Sequence, residues 1–214
     1  MCDAINNYCS SFTIASKPLK QLIFVFRGTK SGAQLLFEAV QSIRGVKKYG
    51  TSGMVNRYFS HALKTIWPGV EIVLKNPDFK TYTATFTGHS LGGALAALAA
   101  LRTVDEHLRP SDKVKLITFG QPRIADYSLA RHYDVAVPYS FRVVNELDIV
   151  AHLPSCQKNE SYPGKSKPCL AKSGSPYHHG TEVWYPSGMR KGANYRECLG
   201  PPEDEDFQCS DQFT

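Results

Sequence analysis

The chain has 214 residues, of which 42% are hydrophobic and 21% charged, a composition that buries a core and excludes a disordered protein. That length suits one α/β domain better than two, and no apolar run reaches the ~20 residues of a bilayer span. The formal charge is +6, but the lysines and arginines are scattered, with no basic helix or aromatic-interleaved patch, so nucleic-acid binding is not expected.

In chain order, "LIFVF" at Leu22–Phe26 is a short continuous apolar run, the signature of a buried parallel strand. Between Gly32 and Ile43, the apolar residues Ala33, Leu35, Leu36, Phe37, Val40 and Ile43 mix with Gln34, Glu38 and Gln41, which predicts an amphipathic helix with a wide greasy face. Met54–Trp67 has helical spacing and is expected to stop before Pro68-Gly69. "YTATF" (Tyr82–Phe86) reads as a strand that runs through "TGHS" into a helix over roughly Leu91–Leu108. "KLITF" (Lys115–Phe119) and "YSFRVV" (Tyr139–Val144) read as further strands, with a helix around Tyr127–Tyr133 between them. "EVWYP" near residue 184 supplies a last strand. Strands alternating with helices over short connections predict a mostly parallel sheet flanked by helices, in a single domain over residues 1–214. The acidic, proline-bearing tail after Cys198 reads as an irregular surface segment.

Six cysteines fall into three sequence-near pairs, Cys2 with Cys9, Cys156 with Cys169 and Cys198 with Cys209. Spacing alone does not fix the connectivity, but none of the pairs has the CxxC spacing of a zinc site. Local disulfides and an oxidising compartment are expected, and the sequon at Asn159 fits a secreted protein. Met1 is followed directly by "CDAINNYCSS", in which no signal peptide is visible. No metal constellation and no cofactor motif is found.

The chemistry concentrates at "GHSLGG", between a strand and a helix. In that context a G-x-S-x-G match describes a cramped turn, with Gly88 and Gly92 leaving room where a Cβ would clash. Ser90 is pushed to the tip as a nucleophile. The N–H of Leu91, at the positive end of a helix, then faces the oxygen that becomes negative during acyl transfer. Such a serine needs an acid and a histidine, in that chain order. Asp148, just past a predicted strand, is the first candidate for the acid; Glu146 and Asp126 are weaker rivals.

Together "FRGT", "TGHSLGGALAALAA", "TFGQPR", "VVNELDIVAHLP" and "YHHGTEVWY" make the chain resemble the fungal-type (class 3) triacylglycerol lipases, most of all their secreted nematode members. The resemblance implies an α/β-hydrolase fold, with Ser90 as nucleophile and Asp148 as acid. It adds Thr29 to Leu91 in the oxyanion hole and places an amphipathic lid around Gln34, Leu35, Leu36 and Phe37, unless that helix packs permanently on the core. It implies a lipid ester substrate at an oil–water or membrane surface, no cofactor, and a secreted protein. It also places the catalytic histidine beyond Thr214, so the chain is expected to lack both the family's first helix and its base, and to be nearly inactive alone. His178 and His179 satisfy the chain order and are the surrogates to consider. His89 belongs to the turn, His61, His107 and His132 fall on predicted helices, and His152 matches a position outside the triad. The competing readings are a catalytically dead lipase-fold acyl-binding protein, and a phospholipase or acyltransferase on the same scaffold.

Overall fold

The computed structural model describes residues 10–28, 45–200 and 202–213. Its frame is a seven-stranded sheet in the order β1-β2-β5-β6-β8-β10-β11. These strands are β1 (Ser11–Ser16), β2 (Gln21–Phe26), β5 (Thr83–His89), β6 (Val114–Phe119), β8 (Ser140–Asn145), β10 (Thr181–Tyr185) and β11 (Arg196–Cys198). The five inner strands run parallel, and only the edge strands β1 and β11 pair antiparallel. A smaller sheet is made of β3 (Val46–Tyr49), β4 (Gly53–Asn56), β7 (Ala125–Asp126) and β9 (Pro176–Tyr177).

Three helices are described: α1 (Arg57–Lys75), α2 (Leu91–Asp105) and α3 (Tyr127–Ala136). Every residue of α2 from Leu91 to Leu101 is buried, because it lies between the sheet and α1. A helix enclosed on all sides is apolar all round, which is why this stretch is nearly all alanine and leucine. Phe24, Phe86 and Leu116 sit in one register row facing it, and the Phe24 and Phe86 rings stack at 4.9 Å. The opposite face carries the row Val25, Thr87, Ile117 and Phe141. There Ile117 and Phe141 stay 40% and 38% exposed, and no described helix covers them.

Two expectations need correction. Met54–Asn56 ends a strand, and the helix starts only at Arg57, with Asn56 Oδ1 accepting from the Tyr58 N–H at 2.9 Å. That helix runs through Pro68 to Lys75 instead of stopping. Its buried stripe of Phe59, Leu63, Trp67, Val70 and Leu74 spans the proline, and this packing outweighs the ~3 kcal/mol that an interior proline costs. The tail is irregular but not superficial: Asp204, Glu205, Asp206, Phe207 and Asp211 are all buried.

Arg109, 3% exposed, ties the far ends of these elements together. Its guanidinium donates to the carbonyls of Tyr82 (3.1 Å), Leu74 (3.0 Å), Leu108 (2.6 Å) and Phe79 (2.6 Å). Arg109→Met takes this donor from all four carbonyls, of which that of Phe79 keeps the Tyr82 N–H at 3.0 Å. The expected loss is about 3 kcal/mol, read as a lower urea midpoint, with Arg109→Lys recovering only part because its ammonium lacks the planar fork.

Candidate active site

Strand β5 ends at His89 and α2 begins at Leu91, so Ser90 alone makes the turn, at φ 59° and ψ −123°. A non-glycine residue at positive φ is strained and is held there by its surroundings. A Cβ on Gly88 would stand 2.4 Å from the Gly92 carbonyl, and one on Gly92 would stand 2.2 Å from the Phe26 oxygen. Both glycines are therefore required for β2, β5 and α2 to meet. The Ser90 N–H donates to the Phe119 carbonyl at 2.9 Å, and its side chain does not cap α2, so the hydroxyl is not consumed by the helix it precedes. Leu91 opens the first turn, where N–H groups have no partner within the helix.

Asp148 follows β8 through a tight turn in which Glu146 has φ 47° and the Asp148 N–H donates to the Asn145 carbonyl at 3.0 Å. Its Oδ1 accepts from the Val150 N–H at 3.0 Å, fixing the carboxylate at the head of a short 3₁₀ turn. Its Oδ2 lies over Gly120, where a Cβ would come within 2.4 Å of it. Gly120 directly follows the Phe119 that holds the Ser90 amide, so β6 alone separates the carboxylate from the serine. Both sit at the carboxyl ends of the parallel strands, where ligands of open α/β sheets bind. Beside Asp148 lies a depression of ≈ 560 Å³ lined by His89, Asn145, Glu146, Leu147, Asp148 and Pro186, while Ser90 is 7% exposed and not part of that lining.

The rival acids have other work. Asp126 is buried as the N-cap of α3, accepting from the N–H groups of Met54 (2.9 Å), Leu129 (3.0 Å) and Gly174 (2.8 Å). Glu146 lines the depression, but its carboxylate lies beside Gly188.

All seven histidines are among the described residues. His178 is buried, its Nε2–H donating to the Ala151 carbonyl at 2.6 Å. His179 stacks on Tyr133 at 3.6 Å, accepts from Gln121 Nε2 at 2.9 Å, and lies 3.3 Å from the Ser140 hydroxyl. Burial, then the charge of Arg142, pushes both rings well below the usual imidazole range, and Arg123 adds to this at His178. Neither ring is bonded to Ser90 or Asp148. His152 lies 3.3 Å from Asp211, and His132 lies 2.9 Å from Asp105 near the other end of α2. His61 and His107 are exposed on or beside helices. His89 alone lines the depression, with Nε2 3.6 Å from where a Gly120 Cβ would stand.

Cys156–Cys169 and Cys198–Cys209 are disulfides, with Cα separations of 5.6 Å and 6.1 Å. Carboxylates gather at both, Asp211 at the first and Glu182 at the second, but bridged sulfurs are not thiolate ligands. Asn159 is half-buried in the loop that the first disulfide closes. Thr29, Gln34, Leu35, Leu36, Phe37, Cys2 and Cys9 lie outside the described residues. Sequence reasoning missed Gly120 as the floor under the acid. Its place directly after the "KLITF" strand, one strand over from Ser90, was the available signal.

Residues 23–158 match the family model for lipase (class 3). A lipase of Caenorhabditis elegans is 43% identical over 218 residues, covering 99% of this chain and 62% of that protein. A lipase of Rhizopus oryzae is 28% identical over 212 residues, covering 95% of this chain and 47% of that protein. The chain thus spans about three fifths of the first relative and about half of the second. Among solved structures, lipase II from Rhizopus niveus superposes with a TM-score of 0.74 at 26% identity, covering 96% of this chain and 71% of that one. Rhizomucor miehei triacylglyceride lipase does so at 0.74 and 25%, with the same coverage. The sheet order, the strand–serine–helix turn and these matches agree on an α/β-hydrolase fold, and the chain belongs to the class 3 lipase family.

Proposed function

We propose that these residues carry the nucleophile and the acid of a serine ester hydrolase that acts on lipid esters. The observation that carries the reading is Ser90 held at positive φ on the tip of the turn, one strand away from the Asp148 carboxylate. Ser90 Oγ attacks the acyl carbonyl while an imidazole takes its proton. The Leu91 N–H, with Thr29, holds the oxyanion. Asp148 orients the imidazole and offsets its positive charge. The imidazole then protonates the departing alcohol, and water releases the fatty acid from the acyl-enzyme. The family and the triacylglyceride lipase neighbour support the lipid substrate, and the two disulfides support an oxidising, extracytosolic compartment. The base in this reading is a histidine outside these 214 residues, because six of the seven rings are placed elsewhere and His89 stands on β5 itself.

A fluorophosphonate probe reacts only with an activated serine in an open site. Applied to the protein as its own gene makes it, the probe is expected to label the peptide containing Ser90, and Ser90→Ala to remove the label. Labelling elsewhere, or none, would favour a catalytically dead acyl-binding protein instead.

A further inference from the structure

The fold gathers basic residues that are far apart in sequence. The β3–β4 hairpin, one side of α1 and the second half of α2 enclose a groove of ≈ 310 Å³, to which Lys47, Lys48, Lys64 and Arg102 all contribute. Its apolar floor includes Leu63 and Leu98, with the Ser60 hydroxyl at its edge. Arg57 stands beside the hairpin, its Nε 3.5 Å from where a Gly45 Cβ would lie.

One carboxylate, Glu106, itself lines the groove, and the carboxylates here are engaged. Glu106 pairs with Arg102 at 2.7 Å, and Asp105 accepts from the Tyr49 hydroxyl at 3.0 Å and lies 2.9 Å from His132. Among the described residues, Lys47, Lys48 and Lys64 lack an ion-pair partner, as the salt bridges lie elsewhere. Partial burial first, then the charges of Lys64 and Arg57, lowers the pKa of Lys47. Lys47 and Lys64 therefore repel each other across the groove, and a bound anion would relieve that repulsion.

We propose that this groove binds a phosphate-class oxyanion, at a site separate from Ser90. Leu98 and Arg102 lie roughly 10–17 Å along α2 from Leu91 at 1.5 Å per residue, so the anion does not touch the reacting acyl group. The Lys47 and Lys64 ammonium groups can each offer donors to a tetrahedral oxyanion. Lys48, by contrast, alternates to the other face of its strand, and the Arg102 guanidinium is shared with Glu106 and lies 4.3 Å over the Trp67 ring. The scattered appearance of these residues in the sequence concealed the cluster.

The oxyanion can come free in solution or as the headgroup of an anionic lipid, and two arms separate the sources. In the first, thermal unfolding of the 214-residue protein is followed in inorganic phosphate and in chloride at matched ionic strength. In the second, the protein is sedimented with phosphatidylcholine vesicles with and without phosphatidylglycerol. The double variant Lys47→Gln/Lys64→Gln is compared with Lys172→Gln/Lys191→Gln, which removes the same charge at exposed positions elsewhere. Phosphate is expected to raise the midpoint, and the groove variant to bind roughly tenfold more weakly, the size of a lost charge-assisted contact, while the control binds as wild type. Vesicle capture that needs phosphatidylglycerol and the groove lysines, without a phosphate effect, supports the site with the headgroup as its source. Equal loss in both variants means net charge alone and overturns the proposal, as does no binding in either arm. Failure here leaves the Ser90 reading untouched, since neither arm measures hydrolysis.

Discussion

Expressed by itself, the 214-residue chain is expected to hydrolyse a short-chain nitrophenyl ester about 10⁶-fold more slowly than a complete serine triad. The residual rate comes from the Leu91 amide and binding, worth about 10³ over water. Triad members act as a unit, so on the proposed reading, with the base outside these residues, Ser90→Ala is expected to change this basal rate little. On the same reading, imidazole added to the assay stands in for the base. It should raise turnover of the wild-type chain and have no such effect on Ser90→Ala. Robust basal turnover abolished by His89→Ala would make the β5 ring the base and end the present assignment. Loss in His178→Ala or His179→Ala would do the same, although those buried rings first have to be shown to leave the fold intact, by circular dichroism and urea midpoint.

Much of this site is legible in the sequence because its geometry is local. A strand, two glycines around a serine, and an alanine-rich helix are contiguous, and the steric demand at Gly88 and Gly92 is set by immediate neighbours. Asp148 is legible for a similar reason, as the residue that leaves the end of β8. The small sheet is not: β7 and β9 have two residues each and no periodicity to detect, being formed by pairing across the chain. The course of α1 through Pro68 is set by packing on α2, which a proline rule does not see. The tail hides its role for a further reason. Glutamates and aspartates are expected outside unless paired, and the carboxylate partners in "EDEDFQCSD" are Arg123, Arg131 and Lys158, with Arg142 donating to the Asp204 main-chain carbonyl, all supplied from earlier parts of the chain.

Glu205→Leu is expected to cost about 3–5 kcal/mol, because it strands a buried guanidinium. Arg123 is 1% exposed, and its Nε and Nη2 donate to Glu205 Oε1 and Oε2 at 2.6 Å and 2.8 Å. Asp211, 3.3 Å from Nη2, is then left as the carboxylate partner. The double variant Arg123→Met/Glu205→Leu should recover only part of the loss: an apolar pair often equals a buried ion pair, but Asp211, the His152 and Pro154 carbonyls and the His178 N–H lose a partner as well. Two carboxyls of the same tail give stability opposite slopes with pH. Burial raises the pKa of Asp211, but His152, Arg123 and Lys158 outweigh that and hold it well below the carboxylate range. Its contribution is present above the unfolded value of ~3.9 and is lost as pH falls below it. Asp204 is pushed up to about 7, by burial first and then by Asp134. The folded protein keeps that proton while the unfolded chain has released it, so stability is lost as pH rises from ~4 to ~7. Asp204→Asn removes this second slope and is expected to gain about 1–3 kcal/mol over wild type at pH 8 relative to pH 5. Urea midpoints at the two pH values measure it, and an unchanged slope in Asp204→Asn would show that the Asp134–Asp204 pair does not share its proton.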